Sequence, residues 1–173
     1  KAMIRGFQGR DFGEPGNIAA CAKHFAGQGA SESGRDYNTT NIPENELRNV
    51  HLPPFKAALD AGVASVMTAF TDLDGMPASA NAFLLQKILR KEWNFEGFVV
   101  SDYNSIPQLS VHGLTATDKE SACAAANAGL DMEMGSSTYA DHLQTLLQEG
   151  KISIGRIDEM VTNVLRIKFR MGL

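Results

Sequence analysis

The sequence predicts an α/β fold built on a parallel sheet, and three observations carry that prediction. Short apolar runs alternate with longer stretches of helical periodicity four times along the chain. The third run, Phe98-Val99-Val100, is apolar at successive positions, the pattern of a strand covered on both faces. Each run ends in polar or charged residues, where parallel-sheet folds place their chemistry. Two architectures fit: an open doubly wound sheet, or part of a (β/α)8 barrel of TIM type. No Gly-x-Gly-x-x-Gly follows the first run and no Gly-x-x-x-x-Gly-Lys-Ser/Thr occurs. The usual positive sign of a nucleotide-binding open sheet is therefore missing. Four strand-helix units are about half of a barrel that takes ~250 residues.

The first strand is expected over 17–25, where Ile18, Ala19 and Cys21 lead into Lys23-His24-Phe25. A loop over 26–43 follows, rich in Gly, Ser, Asn and Thr. A helix is expected over 43–61. Pro43 suits its first turn, Glu44 and Glu46 suit the positive end of its dipole, and Gly62 stops it. The Pro53-Pro54 pair is expected to break or kink it midway, because proline has no N–H to donate.

The second strand spans 63–70. An amphipathic helix over 80–93 puts Phe83, Leu84, Ile88 and Leu89 on one side. The third strand, 97–102, reads Gly-Phe-Val-Val-Ser-Asp. A helix over 119–128 stops at Gly129, a short fourth strand covers 130–134, and a helix over 139–148 ends at Gly150. Ser153 is placed to cap a last helix, whose Ile157, Met160, Val161, Val164 and Leu165 recur at helical spacing.

The chain has 173 residues, 43% hydrophobic and 21% charged, which suits one domain over 1–173 and excludes a disordered chain. A domain this long buries roughly 70% of the surface its unfolded form exposes. The net charge of −4 and the lack of any Lys/Arg block give no general attraction to nucleic acid or anionic membranes. No apolar run approaches the ~20 residues of a membrane-spanning helix. The opening residues carry no signal-peptide pattern, which weighs little if the chain is a piece of a longer one. Cys21 and Cys123 form no disulfide framework and show no metal-ligand spacing, so each is expected to pack as a small buried hydrophobe.

The strand ends offer a short set of candidates: Lys23-His24, then Phe70-Thr71-Asp72, then Ser101-Asp102-Tyr103, then Asp131-Met132-Glu133-Met134. Asp102 reads either as a nucleophile or base in the mouth of the fold, or as a carboxylate capping the next turn. Lys23 reads as a Schiff-base amine, a substrate clamp or half of a structural ion pair. His24 reads as a general acid/base, a donor to substrate or a satisfied core histidine. Glu133 is as well explained by a buried pairing role as by catalysis. His51, His112 and His142 lack ligand spacing, so surface or core roles are expected and no metal site is. A Schiff-base aldolase is an alternative class, but no phosphate-gripping loop supports it. A catalytically inert half-barrel is another.

Six stretches together resemble glycoside hydrolase family 3, which includes β-glucosidases and β-xylosidases. They are Ala22-Lys23-His24-Phe25-Ala26-Gly27, Leu52-Pro53-Pro54-Phe55, Val66-Met67-Thr68-Ala69-Phe70, Gly75-Met76-Pro77-Ala78, Gly97-Phe98-Val99-Val100-Ser101-Asp102 and Ala128-Gly129-Leu130-Asp131-Met132. They run in the family's order and cover nearly the whole chain. The resemblance implies the second half of the family's N-terminal TIM-type barrel.

It also implies hydrolysis of terminal β-D-glucosyl residues in a small β-glucoside or oligosaccharide, with no cofactor. Asp102 matches the nucleophile of a retaining mechanism. Lys23 and His24 match the pair that hydrogen-bonds the hydroxyls of the terminal sugar. Phe70 falls near that sugar, and Tyr103 falls where many members have Trp. Asp74 falls where Asn is frequent. Asp102 has to be ionised to attack, a state that the nearby charge of Lys23 favours.

The acid/base Glu is expected from a later, C-terminal domain, and the remaining sugar-binding Asp and Arg from upstream barrel segments. The N-acetylglucosaminidase branch follows its Lys-His strand with a His-bearing loop. Here the loop reads Ala26-Gly27-Gln28-Gly29 and residues 30–41 hold no His, which disfavours that branch. Gly34-Arg35-Asp36-Tyr37-Asn38 is more similar to periplasmic bacterial β-glucosidases, implying a periplasmic or secreted bacterial protein. The β-xylosidases of the family share Lys23, His24 and Asp102.

Overall fold

The computed structural model describes residues 1–173. Helix α1 (Ala2–Gln8) precedes strand β1 (Cys21–Phe25). A loop with two 3-10 turns leads to the short α2 (Glu44–Glu46) and α3 (Pro53–Leu59). Strand β2 (Ser65–Thr68) follows, then a small antiparallel hairpin of β3 (Asp72–Leu73) and β4 (Met76–Pro77). A π-wound helix, Phe83–Glu92, leads to β5 (Phe98–Tyr103). The chain closes with α4 (Asp118–Ala128), β6 (Met132–Met134), α5 (Thr138–Gln148) and α6 (Ile154–Arg170).

The four long-range strands pair in parallel in the order β1-β2-β5-β6. That order decides between the two architectures. A doubly wound sheet reverses strand order at a switch point. Here each new strand adds to the same side of the last, as in a (β/α) barrel. Residues 1–173 therefore carry four successive strands of a TIM-type barrel. Burial follows from position. The inner strand β2 is buried at all four residues and β5 at Val99–Asp102, as its apolar run predicted. The outer strands β1 and β6 are partly exposed.

Helix packing supplies the core. Leu84, Leu85, Ile88 and Leu89 of the π-wound helix are fully buried, alongside Ala122, Ala125 and Ala126 of α4. The alanine face of α4 lets neighbouring elements approach closely. Gly129 ends α4 at φ +114, and an added Cβ there would stand 3.1 Å from Leu85 Cβ. Glycine thus serves both the left-handed turn and the close contact. Ser153 caps α6 as expected, accepting from Arg156 N at 3.1 Å.

Several expectations need correcting. The helix expected over 43–61 does break at the proline pair, as expected, but it is three pieces: α2, a π-wound turn (Leu47–His51) and α3. Pro53 has no N–H, and Leu52 N reaches back five residues to Leu47 O at 2.9 Å, which widens the turn before the proline pair. Pro43 is the residue before α2 rather than in its first turn. Strand β1 starts at Cys21, not at 17. Helix α1 and the β3–β4 hairpin carried no periodic signal: one holds Gly6 in seven residues, the other has two-residue strands. Cys21 is exposed and Cys123 half-buried, against the expectation of buried packing. Cys21 opens the outermost strand, so nothing covers it on the free side.

Candidate active site

The C-terminal ends of β1, β2, β5 and β6 bring Lys23, His24, Phe70, Asp72, Asp102, Tyr103 and Glu133 to one end of the sheet, whereas Asp131 precedes β6 and stands level with Val99, nearer the other end. His24 of β1 reaches past β2 toward β5, and its Nε2 lies 3.5 Å from Asp102 Oδ2. The two strands are not neighbours, so the contact needs both side chains on the same face of a curved sheet. Asp102 is 6% exposed. Its Oδ1 accepts from Tyr103 N at 2.7 Å, so one oxygen does hold the turn after the strand. Its Oδ2 is buried and accepts no hydrogen bond. A buried carboxylate oxygen without a donor is costly, and such atoms concentrate where a ligand or reaction uses them.

The other candidate carboxylates are all engaged. Asp131 is fully committed to packing. It pairs with Arg90 Nη2 at 2.5 Å and Arg156 Nη2 at 3.2 Å, and accepts from Asn163 Nδ2 at 3.1 Å and Val99 N at 2.9 Å. Burial pushes its carboxyl upward, opposed first by Arg90, and burial likewise pushes the Arg90 guanidinium downward. Glu133 closes the start of α5, accepting from Thr138 N at 2.9 Å, Tyr139 N at 2.8 Å and the Ser136 hydroxyl. Of its two readings the pairing role holds. Asp72 accepts from Thr39 Oγ1 and Gly75 N, each at 2.8 Å, and His112 Nδ1 lies 3.6 Å away. His112 thus ties the loop after β5 to the hairpin after β2.

Hydroxyls lock the frame beneath Asp102. Ser101 Oγ donates to Asp102 O at 2.8 Å and accepts from Met134 N at 2.9 Å, fastening β5 to β6. A buried chain of Thr68 Oγ1, Ser79 Oγ and Ser105 Oγ, at 2.8 and 2.7 Å, links β2 to the segment after β5. Thr71 Oγ1, beyond the end of β2, is the other buried side-chain oxygen without a partner. Asp74 holds φ +51 and accepts from Ile42 N through Oδ1. Asn tolerates the left-handed conformation equally and carries the same acceptor, so both residues serve this position.

Lys23 is exposed and makes no ion pair. Its side chain lines a groove of about 440 Å³ with Met3, Phe7, Ile18 and Phe55. His24, not Lys23, is the basic group touching Asp102. Phe70 is half-buried just past β2, and Tyr103 is 62% exposed at the end of β5. The Tyr103 ring lies against Gly135, where an added Cβ would meet it at 2.6 Å. Sequence reasoning passed over Gln28 and Tyr37. Gln28 Nε2 donates to Asp36 Oδ1 at 3.0 Å and its Oε1 accepts from Phe70 N at 3.4 Å. The Tyr37 and Phe70 ring centroids are 4.1 Å apart. Both residues sit in a loop with no periodicity to read. The aromatic in Gly-Arg-Asp-Tyr-Asn was its one signal.

No group of three or more His, Cys, Asp or Glu is arranged to hold a metal ion. No helix is long and apolar enough to cross a membrane.

Parallel strands in sequence order define a (β/α)-barrel protein, and at their C-terminal ends, where that fold places its chemistry, stand a histidine and a carboxylate with one oxygen unpartnered. The sequence narrows this further. Residues 1–167 match the glycosyl hydrolase family 3 N terminal domain, and the chain belongs to that family. It is 38% identical to the periplasmic beta-glucosidase of Salmonella typhimurium over 173 residues, covering 100% of this chain and 23% of that protein. It is 34% identical to a beta-xylosidase of Formosa agariphila over 99% of this chain and 25% of that protein. The crystal structure of beta-glucosidase from Listeria innocua in complex with glucose superposes with a TM-score of 0.97 at 40% identity, over 99% of this chain and 24% of that one. The chain thus spans about a quarter of the length of these relatives.

Proposed function

We propose that the protein to which this chain belongs hydrolyses terminal non-reducing β-D-glucosyl residues by a retaining double displacement, with Asp102 as nucleophile. One observation carries the reading. Of the carboxylates at this end of the sheet, Asp72, Asp102 and Glu133, Asp102 alone keeps a buried oxygen with no donor, and a histidine stands beside it. Attack through Oδ2 forms a bond to the anomeric carbon as the bond to the leaving oxygen breaks, giving a glycosyl ester. Water then cleaves the ester, and two inversions restore the configuration. Tyr103 N, bound to Oδ1, holds the carboxylate in one orientation through both steps.

His24 and Lys23 donate to the sugar hydroxyls, and bonds that tighten as the oxocarbenium-like charge develops contribute to rate. Lys23 would have to turn from its groove to do so. Phe70 and Tyr103 supply apolar walls. The second carboxylate, which protonates the leaving group from ~5–5.5 Å away, comes from a segment outside residues 1–173, as do the rest of the barrel and a C-terminal domain. The similarity to a periplasmic beta-glucosidase supports a periplasmic or secreted location.

The experiment is a trap. A 2-deoxy-2-fluoro-β-glucoside with an activated leaving group slows both steps but forms the ester faster than water removes it. In the full-length protein, peptide mapping should find the sugar on Asp102. Labelling of Asp72, Asp131 or Glu133, or an inverted product by NMR, would refute the assignment. The relative named beta-xylosidase supports a second reading with the same nucleophile. A higher kcat/KM on the aryl β-xyloside than on the aryl β-glucoside would select it.

A further inference from the structure

We infer that Tyr37, stacked on Phe70, is an aromatic platform that receives the leaving-group ring of the substrate, an assignment that rests on the glycosidase reading above. Two independent observations meet at this residue. The first is strain. Tyr37 holds φ +67, a conformation that a bulky residue rarely adopts and that persists only when its surroundings impose it. The surroundings do impose it. Asp36 Oδ1 accepts from both Gln28 Nε2 and Tyr37 N, Asn38 Nδ2 donates to Glu32 O, and Thr39 Oγ1 donates to the buried Asp72. The loop is bolted to the sheet on both sides of Tyr37.

The second observation is where the ring goes. It lies on Phe70, with centroids 4.1 Å apart and planes at 43°, yet Tyr37 stays 47% exposed. Strand register fixes its place relative to the chemistry. Met67 pairs with Val100, and that register carried past the end of β2 puts Ala69 level with Asp102 and Phe70 one residue further out. Exposure rises in the same direction: Asp102 is at the floor, Phe70 is half-buried and Tyr37 is at the rim. A nucleophile at the floor expels its leaving group outward, away from the attacking oxygen. A rigid aromatic face at the rim, with Tyr103 exposed on the β6 side of Asp102, is suited to the apolar face of a sugar or aryl ring. It costs little conformational entropy to present.

The test uses two substrates of the full-length protein, 4-nitrophenyl β-D-glucoside and β-D-glucosyl fluoride. They share the transferred sugar, but only the first has a leaving-group ring. The readout is the ratio of their kcat/KM values. Tyr37→Ala should lower that ratio about tenfold, mostly through KM of the aryl glucoside. Tyr37→Leu covers Phe70 without a flat face and should lower it similarly, so the test survives if the alanine variant fails to fold. Tyr37→Phe should preserve it. Unchanged ratios in both the alanine and leucine variants would overturn the assignment, whether or not both rates fall together. A wild-type protein inert toward both substrates would overturn the glycosidase reading, and this assignment with it.

Discussion

Asp102 is set apart from its neighbours by what it lacks. Asp72, Asp131 and Glu133 each spend their lone pairs on backbone amides, hydroxyls or arginines. Asp102 spends half of its own on Tyr103 N. That difference was only partly legible in the sequence. The end of the most apolar strand located the residue, but partner counts depend on elements up to 41 positions away, as between Arg90 and Asp131. Tyr37 was illegible for a related reason: a left-handed residue in an aperiodic loop leaves no pattern. A prediction belongs to this scale. Asp102→Gly in the full-length protein should lower turnover of an activated aryl glucoside by several orders of magnitude while binding of glucose, by calorimetry, stays within a few-fold. Azide, filling the vacated space, should restore part of the rate and release a glucosyl azide of α configuration. No rescue, with glucose binding retained, would argue that Asp102 acts other than as nucleophile.

Elements were legible in proportion to their length and periodicity. α4, α5 and α6 fall where caps and apolar spacing put them, because Gly129 and Ser153 are strong stop and start signals. Strand ends drifted by up to four residues, since apolar character continues past the last ladder bond at Ile18 to Ala20 and at Ala69. What no local pattern could show is the buried knot joining four elements. Asp131, leading into β6, grips Arg90 of the π-wound helix, Arg156 and Asn163 of α6, and the backbone of Val99 in β5. It thereby fixes the register of the strand that carries Asp102. Asp131→Asn keeps the size but removes a buried charge facing two partly buried arginines. Breaking such a pair leaves uncompensated buried charge, so urea unfolding should show a loss of about 3–5 kcal/mol. A change below about 1 kcal/mol would mean that the arginines find other acceptors. Such acceptors are at hand, since Arg90 also donates to Phe95 O at 2.5 Å and Gly97 O at 2.7 Å.

At the scale of the whole molecule, the sheet's geometry argues for what must accompany it. A barrel has no edges, whereas this sheet has two, and each of β1 and β6 pairs on one side only. Apolar side chains lie exposed beside both: Met3 at 75%, Phe7 at 49% and Ile18 at 56% near β1, and Met132 at 42% on β6. Met3, Phe7 and Ile18 line the groove of about 440 Å³ into which Lys23 also projects. We propose that preceding barrel strands of the full-length protein fill that groove and turn Lys23 toward the sugar. The relatives, about four times longer, have the chain to do so. Residues 1–173 expressed alone should therefore self-associate with rising concentration in sedimentation velocity, because unpaired strand edges and apolar patches find each other. They should also fail to cleave an activated aryl glucoside at an enzymatic rate, since every strand-end carboxylate other than Asp102 is engaged and none is free to protonate the leaving oxygen. A monomeric, active 1–173 whose turnover disappears in Asp102→Ala would overturn both expectations. It would place the acid within this half of the barrel, and Glu133 would then have to leave the amide groups at the start of α5 to serve.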